Sequence, residues 1–418
     1  MQLRDYQEEA VNILFKYWEK SWKPCVLQLG TGAGKSVICA EITKRLNAPV
    51  LILQPTKEIL EQNYEKLLQV GIDRNKVSIC SASAGGWRIG AITLATIGTI
   101  YQYPQCCQHF QAVIIDECDV LNFEKVSGMY MKFLLALAPG CKIVGLTASP
   151  WRNITYHRRY DEPKIYCRPL TRIPMTSKKA ISKFGTWFWS GGVIYKCDIP
   201  YLQSRGFLSP TVYYAAETDW SFLQDSKTRT DFDTAQMSAW THNEANMSRF
   251  HQAIDACYMR ELKTIVFSPN VEVSFQLADI IRARGGEVIT LDSENDNKKS
   301  REEKMAWFRQ PGCKFLVNVG MVGRGVDVPS VDAIIMCRPT KSLSLYVQAV
   351  GRCLRIDPNN PDKTAMILDL SGNLDRFGKV EHIRLAKRQA LSASGYQYEK
   401  DVIEIAPQGR IRVWEQVN

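Results

Sequence analysis

Two short clusters in this 418-residue chain have the composition that phosphoanhydride chemistry requires. The first is Gly30-Thr31-Gly32-Ala33-Gly34-Lys35-Ser36, a glycine-rich turn between an apolar run and a helical stretch. Backbone amides of such a turn, at a helix N-terminus, cradle phosphates; Lys35 can reach the β and γ phosphates, and the Ser36 hydroxyl can ligate Mg²⁺. Leu29 stands where the strict pattern has its first glycine. The second cluster is Asp116-Glu117-Cys118-Asp119, directly after an apolar run. A carboxylate on Mg²⁺ beside one that polarises water is what hydrolysis of a phosphoanhydride needs, so Asp116 is assigned to the metal and Glu117 to the general base. The ligands expected are ATP and Mg²⁺.

The surrounding elements should present both clusters at one edge of a sheet. Val11, Leu14, Phe15 and Trp18 fall at helical spacing, and Cys25–Leu29 then reads as a buried strand. Further apolar runs at 50–53, 91–94, 112–115 and 142–146 alternate with helical stretches, which implies a parallel sheet with helices on both faces. Residues 151–215 break the rhythm with Arg, Lys, Pro and aromatics. It resumes with strand candidates at 263–267, 287–291, 314–317, 333–337 and 365–368, followed by a terminal hairpin of 402–405 and 411–414 around Pro407-Gln408-Gly409. The fold class expected is α/β, with two tandem domains at 1–155 and 216–390, each a parallel sheet flanked by helices. A bridging element at 156–215 and a tail at 391–418 complete the expected organisation.

Composition fits a globular protein, with 45% hydrophobic and 23% charged residues. No apolar run approaches the length that spans a bilayer, and the charged start Met1-Gln2-Leu3-Arg4-Asp5 is unlike a signal peptide, so a cytoplasmic protein without membrane contact is expected, in a bacterial or phage-infected cell. The thirteen cysteines lack metal-ligand spacing, and Cys25, Cys39 and Cys337 lie in apolar stretches, as buried reduced thiols do. A formal net charge of +10 favours a polyanionic partner.

The glycine-rich loop and the Asp-Glu pair together resemble those of superfamily 2 helicases, and further segments agree in order along the chain. Leu3-Arg4-Asp5-Tyr6-Gln7 is similar to the family's Q motif, which implies that Gln7 recognises adenine. Pro55-Thr56-Lys57-Glu58 resembles motif Ia, and Ala95-Thr96-Ile97-Gly98-Thr99 the next threonine-bearing motif; the resemblance places Pro55, Thr56 and Thr96 on a nucleic-acid backbone. Thr147-Ala148-Ser149-Pro150 is similar to motif III, which implies that Thr147 and Ser149 couple hydrolysis to strand contacts. Ile265-Val266-Phe267-Ser268 takes the place of motif IV, and Gly323-Arg324-Gly325-Val326-Asp327 resembles motif V, with Asp327 near the ribose. Gln348-Ala349-Val350-Gly351-Arg352-Cys353-Leu354-Arg355 matches motif VI, which implies a site role for Gln348 and contact of Arg352 and Arg355 with the γ-phosphate from across a cleft. Transition-state charge would then be fully stabilised only when that cleft closes.

Val319 replaces a threonine usual early in motif V. Motif VI begins with Gln348 rather than the HRxGR of RNA-acting DEAD-box proteins, and motif II, the Asp116–Asp119 segment, lacks their final alanine-aspartate pair. These last two differences move the reading from RNA toward DNA. Arg338-Pro339-Thr340-Lys341-Ser342 and Leu368-Asp369-Leu370-Ser371-Gly372-Asn373 resemble RadD-like and phage UvsW-like DNA repair helicases. The function expected is an ATP-dependent DNA helicase or translocase, a monomeric motor on single-stranded, forked or branched DNA. The alternative is an ATP-driven nucleic-acid-binding switch, or an RNA helicase, without processive DNA unwinding. Lys178 and Lys179, with Trp187 and Trp189 just beyond, suit phosphate contact and base stacking; a solvated basic loop over a small aromatic core accounts for them equally well.

Overall fold

Short runs of β-branched and aliphatic residues become strands buried on both faces because helices follow them on either side of a parallel sheet. The computed structural model describes residues 2–121, 128–153, 167–172, 174, 175, 177–215, 223, 231–320, 328, 330–391, 397–405 and 412–414. They group into two compact units, the first comprising Met1–Arg152 with Arg168–Asp198 and Lys387–Asp401, the second Asn153–Cys167 with Ile199–Ala386 and Val402–Asn418.

In the first unit, helix α1 (Asp5–Lys20) buries Val11, Leu14 and Trp18 of the expected stripe, with Phe15 partly buried, and Tyr6 and Ala10 besides. Strands β1 (Cys25–Leu29), β2 (Val50–Gln54), β3 (Val77–Ser81), β4 (Gly86–Trp87), β5 (Ile92–Thr96), β6 (Ala112–Asp116) and β7 (Lys142–Thr147) follow in chain order. Helices α2 (Lys35–Leu46), α3 (Lys57–Gln69), α4 (Ile97–Ile100) and α5 (Met129–Ala136) lie between them. A two-stranded ribbon of β8 (Trp151–Asn153) and β9 (Cys167–Pro169) precedes α6 (Lys178–Phe184) and β10 (Val193–Cys197). The sheet order is β10-β1-β7-β6-β2-β5-β3-β4, parallel except for the β3–β4 pair. The carboxyl ends of β1, β7, β6, β2 and β5 therefore line one edge in that order, where ligands bind in open α/β sheets.

In the second unit, α7 (Ile199–Ser204) precedes edge strand β11 (Thr211–Ala215), and helices α8 (Thr234–Thr241) and α9 (Glu244–Met259) lead into β12 (Thr264–Phe267). Then come α10 (Val271–Ala283), β13 (Glu287–Leu291), α11 (Lys298–Arg309), β14 (Lys314–Asn318), β15 (Ala333–Met336), α12 (Leu343–Val350), β16 (Ala365–Asp369) and α13 (Asn373–Phe377). The sheet order is β11-β16-β15-β12-β14-β13, parallel at every pairing. Phe250, Ile254, Leu277, Ile281, Phe315 and Val317 belong to its buried core. Strands β17 (Arg384–Leu391), β18 (Gln397–Ile405) and β19 (Arg412–Trp414) form a third sheet, in which β18 and β19 pair antiparallel as the expected hairpin. Pro407, Gln408 and Gly409 lie outside the described residues.

Two strands come from the stretch expected to bridge the domains. Val193–Cys197 adds to the first sheet beside β1, and Thr211–Ala215 to the second beside β16, because each carries a strand's worth of edge-pairing backbone. Cys25, Cys39 and Cys337 are buried free thiols, and burial holds each well above the usual thiol range. Among the described residues no helix is long and apolar enough to cross a membrane.

Candidate active site

The loop after β1 is shaped by glycine. Gly30 donates its amide to the Cys197 carbonyl at 2.7 Å, tying the loop to β10, and Ala33 N donates back to Gly30 O at 3.0 Å. Gly32 and Gly34 adopt left-handed backbone, φ +85° and +78°, which places Lys35 and Ser36 at the start of α2. Gln7 reads this loop from α1. Its Oε1 accepts from Arg4 N at 3.0 Å, closing the first turn of α1, while its Nε2 donates to Ala33 O at 3.0 Å. Tyr6 donates its hydroxyl to the same carbonyl at 2.9 Å, and burial raises its pKa above the ordinary phenol value.

Asp116 ends β6 and Glu117 follows in left-handed backbone, φ +50°, an uncommon conformation for a residue with a Cβ. Lys35 Nζ lies 3.2 Å from Glu117 Oε1, both side chains about one-seventh exposed (14%). Asp116 is buried; its Oδ1 accepts from Glu117 N at 3.0 Å and its Oδ2 from Asn63 Nδ2 at 3.0 Å. Burial and the adjacent Glu117 carboxylate hold Asp116 above the ordinary carboxylate range, against the pull of Lys35 and Asn63. A buried carboxylate held in this way is suited to a cation. Among the described residues no three His, Cys, Asp or Glu side chains gather for a metal, so a cation here would draw most of its oxygens from phosphate and water.

The next strand ends carry the residues expected on nucleic acid. Thr56 caps α3, accepting from Ile59 N at 3.4 Å, and Pro55 and Thr56 are half-buried. Thr96 donates to Ser81 Oγ at 3.0 Å and is also half-buried. Thr147 and Ser149 are both fully buried at the end of β7. Thr147 donates to Asp119 Oδ1 at 3.0 Å and accepts from Ser149 N at 3.0 Å, because β7 is interior to the sheet and its end turns inward against the Asp-Glu segment.

Trp189 is buried as well. It is 1% exposed, packs edge-on against Phe188 and fills the space over Gly145, where an added Cβ would meet its ring at 2.6 Å. The core reading of these aromatics therefore holds for Trp189. Trp187 is half-buried, with the Arg172 guanidinium 6.0 Å from its ring centre. Lys178 and Lys179 are exposed on the first turn of α6, whereas Lys183 donates to the carbonyls of Leu135 and Leu137.

In the second unit Ser342 caps α12, accepting from Leu345 N at 3.2 Å. On that helix and just beyond it, Gln348 and Arg352 are buried, and Arg352 Nε donates to the Gln348 carbonyl at 3.2 Å. Gln348 Nε2 is buried without a hydrogen-bond partner among the described residues. Arg355 is half-buried, with its carbonyl accepting from Ser209 Oγ at 3.3 Å. Asp327, with the rest of the motif V segment from Gly323, lies outside the described residues.

Comparison with known proteins places this geometry. Residues 1–152 match the family described as type III restriction enzyme, res subunit, and residues 246–357 match the helicase conserved C-terminal domain. The chain belongs to superfamily 2 of the helicases. This helicase is 23% identical over 396 residues to the DNA 3′-5′ translocase XPB2 of Sulfurisphaera tokodaii, covering 88% of this chain and 81% of that one. The structure of the ATP-dependent type ISP restriction-modification enzyme LlaBIII bound to DNA superposes with a TM-score of 0.61 at 17% identity, over 89% of this chain and 28% of the other. That of Saccharomyces cerevisiae Dbp5 bound to RNA and ADP BeF3 superposes at 0.54 with 14% identity, over 87% and 82%. At these identities the likeness is one of fold: tandem RecA-like domains. Among the first four curated relatives the helicase spans 49% to 81% of their length.

Two site residues carried no expected role. Asp119 belongs to the acidic run but its partner Thr147 lies 28 residues on, a pairing that only the adjacency of β6 and β7 creates. Asn63 left a fainter trace: it falls in the buried stripe of Ile59, Leu60 and Leu67 on α3, and a polar residue in such a stripe is hydrogen-bonded to something.

Proposed function

We propose that this helicase is an ATP-driven DNA translocase that unwinds or branch-migrates single-stranded, forked or branched DNA as a monomer. The observation that carries the reading is the pairing of Lys35 with Glu117 beside the buried, doubly hydrogen-bonded Asp116. In this reading the amides from Gly30 to Gly34 and the Lys35 ammonium hold the triphosphate, and Glu117 accepts the proton of the attacking water. Ser36 and Asp116 would hold Mg²⁺, which when bound neutralises charge on the phosphates. Gln7 supplies adenine recognition by exchanging its bond to the Ala33 carbonyl for the base. Arg352, whose Nε is held by the Gln348 carbonyl, and Arg355 would supply charge to the triphosphate, and Asp327 would contact the ribose.

Strand contact is assigned to Pro55, Thr56 and Thr96 at the ends of β2 and β5, adjoining the hydrolytic residues at β6 in sheet order, with Lys178 and Lys179 as exposed phosphate contacts. Thr147 and Ser149 then link hydrolysis to grip through Asp119 rather than by touching the strand. DNA rather than RNA is supported by the resemblance to a DNA translocase across most of the chain and by the absence of the DEAD-box form of motifs II and VI.

The deciding experiment offers the purified chain forked DNA, a four-way DNA junction and an RNA duplex side by side, with ATP. ATP-dependent displacement or branch migration of the DNA substrates supports the proposal. Stimulated ATP hydrolysis with stable binding and no displacement would establish the switch instead, and displacement confined to RNA would reverse the substrate.

A further inference from the structure

Asn63 is buried in the apolar stripe of α3, 1% exposed, where an amide is costly unless its donors are used. Its Nδ2 donates to Asp116 Oδ2 at 3.0 Å. With the Gln54 amide oriented so that its nitrogen faces the carbonyls of Ile52 and Ala95, Asn63 Nδ2 also donates to Gln54 Oε1 at 3.2 Å. Gln54 is itself 0% exposed at the end of β2. The two Asp116 oxygens are thus held from two directions: Oδ1 by the backbone of its own turn, Oδ2 by a side chain from another element. That element, α3, is capped by Thr56, which follows Gln54 and Pro55.

We infer that Asn63 is a positioning residue for Asp116, fixing from α3, the helix capped by Thr56, the carboxylate that would hold the cation. The inference rests on the role proposed above for Asp116. An Asp116 carboxylate without this bond loses one fixed orientation, and ligands deprived of such outer partners lose about 10- to 100-fold in metal affinity. Gln54 acts through Asn63, holding its amide in the plane that reaches Asp116.

The test compares the parent chain with Asn63→Ala, Asn63→Leu and Asn63→Ser in two measurements: binding of a fluorescent ADP analogue in EDTA and in a Mg²⁺ titration, and the Mg²⁺ concentration that half-saturates ATP turnover on single-stranded DNA. Leucine keeps the branched shape of asparagine without a donor, and serine keeps a donor in a smaller side chain. The expected result is metal-free analogue binding equal to the parent's, with the Mg²⁺ requirement raised about 10-fold in Asn63→Ala and Asn63→Leu and less in Asn63→Ser. A purely packing role predicts that leucine restores what alanine loses, so a folded Asn63→Leu chain with the parent's Mg²⁺ requirement overturns the inference. Should alanine prevent folding, leucine and serine carry the comparison, and Gln54→Leu is expected to shift the Mg²⁺ requirement in the same direction by less. A parent chain with no Mg²⁺-dependent turnover would remove the functional reading itself; a normal parent beside an unshifted Asn63→Leu removes the role of Asn63 alone.

Discussion

Lys35 Nζ and Glu117 Oε1 stand 3.2 Å apart, so the cation proposed for the phosphates and the carboxylate proposed for the water neutralise one another. Phosphate would compete for Lys35 and leave Glu117 free to accept a proton, which ties general-base strength to substrate binding. Lys35→Ala is expected to lower both nucleotide affinity and turnover, whereas Glu117→Gln should retain nucleotide binding and lose turnover by at least about 100-fold. Equilibrium binding of a fluorescent nucleotide beside steady-state ATPase separates the two, and equal binding loss in both variants would show that the pair is merely structural.

Gly34 sets the height of the loop against α1. A methyl group at residue 34 would sit 2.6 Å from Gln7 Nε2 at a φ of +78°, so Gly34→Ala combines a left-handed backbone cost of about 1–2 kcal/mol with displacement of the Gln7 amide. The expected outcome is a lower melting temperature together with weaker discrimination of ATP from GTP. Gln7→Ala should reproduce the second effect without the backbone cost, and a variant that discriminates as the parent does would release Gln7 from base recognition.

Trp189 belongs to the core of the first unit, so Trp189→Ala should destabilise the protein by about 3–5 kcal/mol, as large core truncations do. Trp187→Ala, at a half-buried position, should leave the denaturation midpoint close to the parent's. Chemical denaturation followed by circular dichroism tests this directly; a Trp189→Ala chain of parental stability would show that the ring does not support the sheet over Gly145.

Asp369 is fully buried at the end of β16, and burial pushes its carboxyl up to about 6 although Ser371 and Leu374 amides bond it. A carboxyl raised in the folded state from an ordinary value of 3.8 binds its proton more tightly folded than unfolded. Its contribution to stability therefore grows as pH falls from about 6 toward 4 and is lost as pH rises through 6. Relative to Asp369→Asn, the parent should gain up to about 3 kcal/mol between pH 7 and pH 4. Urea midpoints of both proteins across that range check the sign, and a parallel pair of curves would contradict it.

Much of this was legible from apolar runs alone. Cys25–Leu29 emerged with the bounds expected, and β6 and β7 within a residue, because strands buried on both faces are continuous in the sequence. Val193–Cys197 and Thr211–Ala215 were hidden for opposite reasons. The first alternates buried Tyr195 and Cys197 with exposed Lys196 amid glycines and basic residues, and the second is a half-exposed edge strand with little apolar contrast. The aromatic run at 187–189 had two readings since composition does not say which way a ring faces; the missing side chain at Gly145 decides it for Trp189. Asn63 and Asp119 escaped because their partners come from other strands and helices, and only sheet order brings them together.

The proposed function requires Arg352 and Arg355 for ATP hydrolysis as well as Lys35 and Glu117. The most direct measurement is steady-state ATP hydrolysis by the Arg352→Ala/Arg355→Ala double variant with saturating single-stranded DNA, beside a melting curve that verifies folding. Turnover should fall by at least about 100-fold while the folded state persists. A folded double variant that hydrolyses ATP at the parental rate contradicts the account.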